Sequence, residues 1–110
     1  MANVREYQIT VTGSGTVVLS PALQTGILVT DFWAVKTGGA GGGGDGITLQ
    51  DGAGNAISDQ LDMNVADTTV VRASTINDAF SSVTAAENLQ VVAAGAATVA
   101  SICFVAGIPQ

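Results

Sequence analysis

The 110-residue sequence predicts an all-β fold, an antiparallel β-sandwich or barrel of about eight short strands. Three observations carry that reading. Apolar and polar residues alternate with period two, turn signals built on Gly, Asn and Asp separate the alternating stretches, and helical periodicity is hard to find. A chain of this length hides roughly 65% of its unfolded surface on folding, enough for a core without disulfides or a structural metal. No linker or fixed-period repeat divides it, so residues 1–110 read as one domain.

Residues 4–12 place Tyr7, Ile9 and Val11 on one face and Glu6, Gln8 and Thr10 on the other. This is a half-buried strand within an N-terminal arm of residues 1–12. Gly13-Ser14-Gly15 makes a turn into a short strand, Thr16-Val17-Val18-Leu19, which Ser20-Pro21 ends. Residues 27–35 are the clearest long strand. Ile27, Val29 and Trp33 alternate with Leu28, Phe32 and Ala34, and apolar residues on both faces predict a strand covered on both sides.

Residues 38–46, Gly38-Gly39-Ala40-Gly41-Gly42-Gly43-Gly44-Asp45-Gly46, offer almost no side chain to bury and lose much backbone entropy on ordering. They predict a mobile surface loop. Ile47-Thr48-Leu49-Gln50 and Ala56-Ile57-Ser58 then form a hairpin around Asp51-Gly52-Ala53-Gly54-Asn55, whose Asp-Gly and Gly-Asn pairs suit tight turns. Further strands follow at residues 61–65, 68–73, 81–85, 89–93 and 98–106. Residues 74–80 are a loop or a short helical turn, and Gly107-Ile108-Pro109-Gln110 is expected to leave the sheet. Ile27, Val29, Trp33, Leu89, Val91, Ile102 and Phe104 are expected among the most buried residues, because they lie in the most apolar strands.

Composition limits the function. Net charge is −6, and the only cations are Arg5, Lys36 and Arg72, too few to neutralise a phosphate backbone, so direct nucleic-acid binding is not expected. Mean hydropathy is +0.46, yet no stretch resembles the ~20 apolar residues of a spanning helix, so no membrane partner is expected. The start of the sequence lacks a basic segment followed by an apolar one, which predicts synthesis in a cytoplasm without a secretory signal. Charged residues make up 11% of the chain against roughly 25% in an ordinary domain, as if copies of itself or a larger partner cover much of the surface.

Catalytic chemistry needs groups that change charge or attack, and histidine is absent. Cys103 lies in an apolar run with no base to make its thiolate, and reads as a buried free thiol. Most acids sit in turns, where Asp serves local backbone hydrogen bonds. Asp31 is the exception, inside an apolar strand. It points outward, meets Lys36 or Arg72, or lies at a subunit contact. The glycine run is no phosphate loop, because Asp45-Gly46 leads into a strand without Gly-Lys-Ser/Thr and a helix. Residues 40–48 match a nine-residue calcium repeat except at the first glycine, but only one imperfect copy exists. Calcium at Asp45, Asp51 and Asn55 is therefore ranked below a plain loop. No catalytic, cofactor or metal site is assigned, and no enzyme activity or cofactor is expected. Trp33 and Tyr7 are read as core ahead of a sugar-stacking platform.

The N-terminal strand, the Val/Thr/Ala/Gly-rich strands, the Asp-Gly-Ala-Gly-Asn hairpin and the stretch Ala86-Glu87-Asn88-Leu89-Gln90-Val91-Val92-Ala93-Ala94-Gly95-Ala96-Ala97-Thr98-Val99 together resemble a jelly roll. In style the chain resembles the small decoration, or cement, proteins of tailed bacteriophage heads. That resemblance implies a virion protein, a trimer or set of clustered copies on the outside of an icosahedral shell, clamping the major capsid protein. It carries over no catalytic residues. A phage tail, collar or fibre-base component would look similar. A carbohydrate-binding module would want exposed aromatics, and aromatics are 5% here.

Overall fold

The computed structural model describes residues 4–38, 44–94 and 100–110, and among them finds nine strands and no helix. In chain order these are β1 (Arg5–Val11), β2 (Gly15–Val18), β3 (Ile27–Gly38), β4 (Gly46–Asp51), β5 (Leu61–Asp62), β6 (Val70–Arg72), β7 (Ser82–Val83), β8 (Leu89–Ala94) and β9 (Ala100–Pro109). Residues 74–80 form a bend, a bridge from Ile76 to Ser58 and a turn closed by the Phe80 N–H donating to the Asn77 carbonyl at 3.1 Å. Of the loop expected at 38–46, residues 39–43 lie outside the described residues, as do 95–99, whereas Gly38 ends β3, Asp45 is buried and Gly46 begins β4.

The strands form two antiparallel sheets. The first has the order β1-β9-β3-β6, with β7 also pairing β3, and the second has the order β2-β8-β4-β5. β6 and β7 lie along the same edge of β3, opposite β9: β7 pairs at Ile27 and Leu28, β6 at Trp33–Val35. Counted as one interrupted edge strand, they complete the strand order of a jelly roll, in which the chain passes repeatedly between two packed sheets.

The inner faces meet in a core that includes Ile9, Val11, Ile27, Phe32, Leu49, Leu89, Val91 and Val105. β4 and β8 show why alternation sufficed: Ile47, Leu49, Leu89, Val91 and Ala93 point inward while Thr48, Gln50, Gln90 and Val92 are half-buried outside. Burying each branched aliphatic side chain contributes roughly 1.5–3 kcal/mol, which fixes the register of a strand with one wet face. Beyond β4, the Asp51 carboxylate accepts from the Ala53 and Asn55 N–H groups and from Asn55 Nδ2 at 2.9–3.1 Å, closing the expected turn. Gly52 is required there, since a Cβ would meet the Glu87 carbonyl oxygen at 1.6 Å.

The strands expected at 61–65, 68–73 and 81–85 shorten to β5, β6 and β7; beyond this, three expectations fail, and two share a cause. Ile27 and Val29 are buried, but Trp33 is only half-buried on the opposite face. The register with β9 slips between Val29 and Asp31, where Thr30 is the extra residue of a bulge. The slip reverses the phase, so Phe32, Ala34 and Lys36 point inward beyond it. Phe32 faces Val105 and Ala34 faces Cys103 within that layer, leaving Ile102 and Phe104 on the outer face with Trp33 and Val35. Ile102 and Phe104 are therefore half-buried and outside the core. The third correction concerns the tail. Residues 107–109 stay in β9, pairing with Val29, Leu28 and Ile27, and the Gln110 N–H donates to the Gly26 carbonyl.

Candidate functional site

The polar residues singled out above are dispersed by the fold. Asp45 precedes β4 and Asp51 ends it, so about 20 Å of extended chain separates them. The fold brings Asn55 to Asp51 but not Asp45, and it spends the Asp51 carboxylate on its own turn. Among the described residues no three His, Cys, Asp or Glu side chains group as metal ligands. Asp59 lines a cleft of about 580 Å³ with Ser58, Thr75 and Asp78, and its carboxylate accepts from the Ser74 and Thr75 N–H groups. Lys36 is buried on the inner face of β3 and reaches the Gly38 carbonyl and Asp67 Oδ1, both at 3.2 Å. Cys103 is fully buried, and desolvation pushes its thiol up to about 12. Such a thiol has almost no thiolate near neutral pH.

What the fold does assemble is the outer face of the first sheet. Cα partners across antiparallel strands point to the same side, so the register reads out its rows. One row is Gln8, Phe104, Trp33 and Arg72, across β1, β9, β3 and β6. The next is Thr10, Ile102, Val35 and Val70, and on the other side lies Glu6, Ala106 and Asp31. Beyond the bulge, Leu28 pairs with Ile108. The sequence signal for this face was the two-sided apolar pattern of β3, which predicted a second cover without saying what provides it.

The centre of the face is ordered by aromatic contacts. Trp33 stacks on Phe104 with ring centroids 5.7 Å apart and 16° between planes. From the neighbouring strand on its other side, the Arg72 guanidinium lies 5.2 Å from the Trp33 ring centroid. Arg72 Nε also contacts Asp31 Oδ2 at 3.3 Å, and Asp31 Oδ1 accepts the Phe32 N–H at 2.8 Å. So Asp31 meets Arg72, one of the partners open to it from sequence. Tyr7 is half-buried and packs at the margin of the core. Val70, at the end of its row, is 57% exposed.

No family model matches the sequence, and no curated protein matches it. Solved structures with a similar fold include two from phage capsids. A chain of the cyanophage Pam1 capsid asymmetric unit superposes with a TM-score of 0.59 at 13% identity, over 99% of this chain and 86% of that one. A chain from the capsid of Ralstonia phage GP4 gives 0.55 at 17% identity, over 100% of this chain and 84% of that one. At these identities the likeness establishes the fold. It covers both sheets from end to end.

Proposed function

We propose that this chain is a structural protein of a phage virion, a decoration protein that binds the outside of the head and stabilises the shell by contact with the major capsid protein. The observation that carries the reading is the likeness over essentially the whole chain to chains of two phage capsid structures, with little of those chains left over. The surface supports it. Among the described strands the outward-facing charges are few, as suits a chain largely covered by other proteins. On this reading the chain acts by binding without catalysis, and it sits on the lattice as clustered copies. A decoration protein stabilises a shell only by binding the assembled lattice more tightly than free subunits.

The test is particle binding. Heads purified from the source are imaged by electron microscopy, and stripped heads are heated with and without added protein. The expected result is density for the chain outside the shell and a higher temperature of head disruption when it is restored. Finding it on the tail or collar would keep the virion role and remove the decoration role. Absence from particles, with no binding to stripped heads, would remove both.

A further inference from the structure

The outer face of the first sheet carries an inference about the chain itself, independent of any capsid partner. From the charge and row pattern of this face, we propose that it is a two-fold pairing surface: a second copy of the chain covers it.

The case begins with charge. The chain carries net −6. Apart from Glu6, the exposed acids Asp59, Asp62, Asp67 and Asp78 lie outside the strands of the first sheet, as does half-buried Glu87. On its outer face only Glu6, Asp31 and Arg72 are charged, and Asp31 is already matched by Arg72. A basic partner would be drawn to the acidic loops. This face instead selects a partner surface that is apolar and nearly neutral, as a second copy of it is.

The row order then makes the face complementary to itself. Its strands run β1-β9-β3-β6. A two-fold axis parallel to the strands, between β9 and β3, sets β3 of each copy over the partner's β9, and β6 over the partner's β1. At matched levels Trp33 lies over the partner's Phe104, Val35 over the partner's Ile102, and Leu28 over the partner's Ile108. The same operation brings Glu6 within one row, about 7 Å along the strand, of the partner's Arg72, a gap an arginine side chain spans. Asp31 then faces the partner's Ala106, so no like charges are opposed.

The size of the face sets the strength. β3 and β9 span about 24 Å from Leu28 to Val35, β1 and the three-residue β6 flank them over less, and at about 4.8 Å per strand the face is roughly 350 Å² per copy. Two such faces bury about 700 Å², below the roughly 1,200 Å² of a stable specific interface, so the pair is weak when free and favoured where copies are concentrated.

Sedimentation of the isolated full chain from about 10 to 500 µM tests this, a range chosen for an interface of that size. Expected is a monomer–dimer equilibrium. Val70→Asp should abolish it while thermal melts stay within a few degrees of wild type, because Val70 is 57% exposed in one copy. Arg72→Glu and Glu6→Arg should each weaken the dimer about tenfold, and the double exchange should recover most of the loss. Recovery is a signature that a folding defect cannot give. A monomer throughout the range, a trimer, or a dimer indifferent to Val70→Asp would overturn the pairing, while leaving the particle-binding test of the capsid role unaffected.

Discussion

On the outside of the first sheet Trp33 stacks against Phe104; on the outside of the second, Gln90 Nε2 donates to Gln50 Oε1 at 3.0 Å. The two sheets share one core, yet their outer faces differ in kind. The second shows Thr16, Thr48, Gln50 and Gln90, which water satisfies, with the two short apolar side chains Val18 and Val92 among them. The first shows Leu28, Trp33, Val35, Ile102, Phe104, Ile108 and Val70 along its middle, with Glu6, Gln8, Thr10, Asp31 and Arg72 around them. The difference follows strand length and position. β3 and β9 are the longest strands, paired to each other along the middle of the first sheet, and their outward positions are as apolar as their inward ones. A strand apolar on both faces calls for two covers. Here the chain itself supplies one, through the second sheet, and the other side remains available to a partner.

The largest expected effect comes from breaking the device that separates the two faces of β3. Deleting Thr30 removes the bulge and flips either the residues before it or those after it to the wrong side. Stability should fall by more than about 4 kcal/mol, into the range reserved for disrupted cores. A denaturant midpoint close to wild type would mean that the bulge does not set the facing.

A smaller effect should distinguish the neighbours Phe32 and Trp33. Phe32→Ala truncates a fully buried ring and should cost about 3–5 kcal/mol. Trp33→Ala removes a half-buried ring from the outer face and should cost about 1–2 kcal/mol in the monomer, the size of an aromatic pair plus partial burial. Chemical denaturation of both variants at dilute protein measures the gap. Equal losses would place Trp33 in the core after all.

Cys103 offers the same comparison on β9, since it points inward beside the outward Phe104. Its folded thiol titrates near 12 and the unfolded one near 9. The unfolded chain therefore loses its proton first, and the contribution is complete below pH about 9 and lost progressively as pH rises toward 12. Native protein at pH 8 should resist a thiol reagent, with labelling appearing only as the protein unfolds. Prompt labelling of folded protein would show that β9 is reached from solvent.

The smallest effects belong to the second sheet. Gln50→Ala and Gln90→Ala each alter a half-buried pair on a face that water reaches, and each should change stability by less than about 1 kcal/mol. Neither should change sedimentation. If either did, the second sheet would be a contact face too, and the contrast between the two outer faces would fail.

Local sequence determined most of the strands and turns of this protein. Period two in residues 4–12 and 89–93, the Asp51–Asn55 turn and the buried thiol of Cys103 were legible because each depends on neighbours a few residues away. The two-sided apolar pattern of β3 also announced that a second cover was needed. Which residues face which side was decided only by tertiary structure. Thr30 has no mark of its own in the sequence, and it becomes a bulge because Val29 pairs with Gly107 while Asp31 pairs with Ala106, a chain distance of more than seventy residues. That one-residue slip turns Phe32 inward and Trp33 outward. Side chains alternate strictly along a strand, so facing beyond a slip is a property of the pairing with β9 and cannot be read from β3 alone.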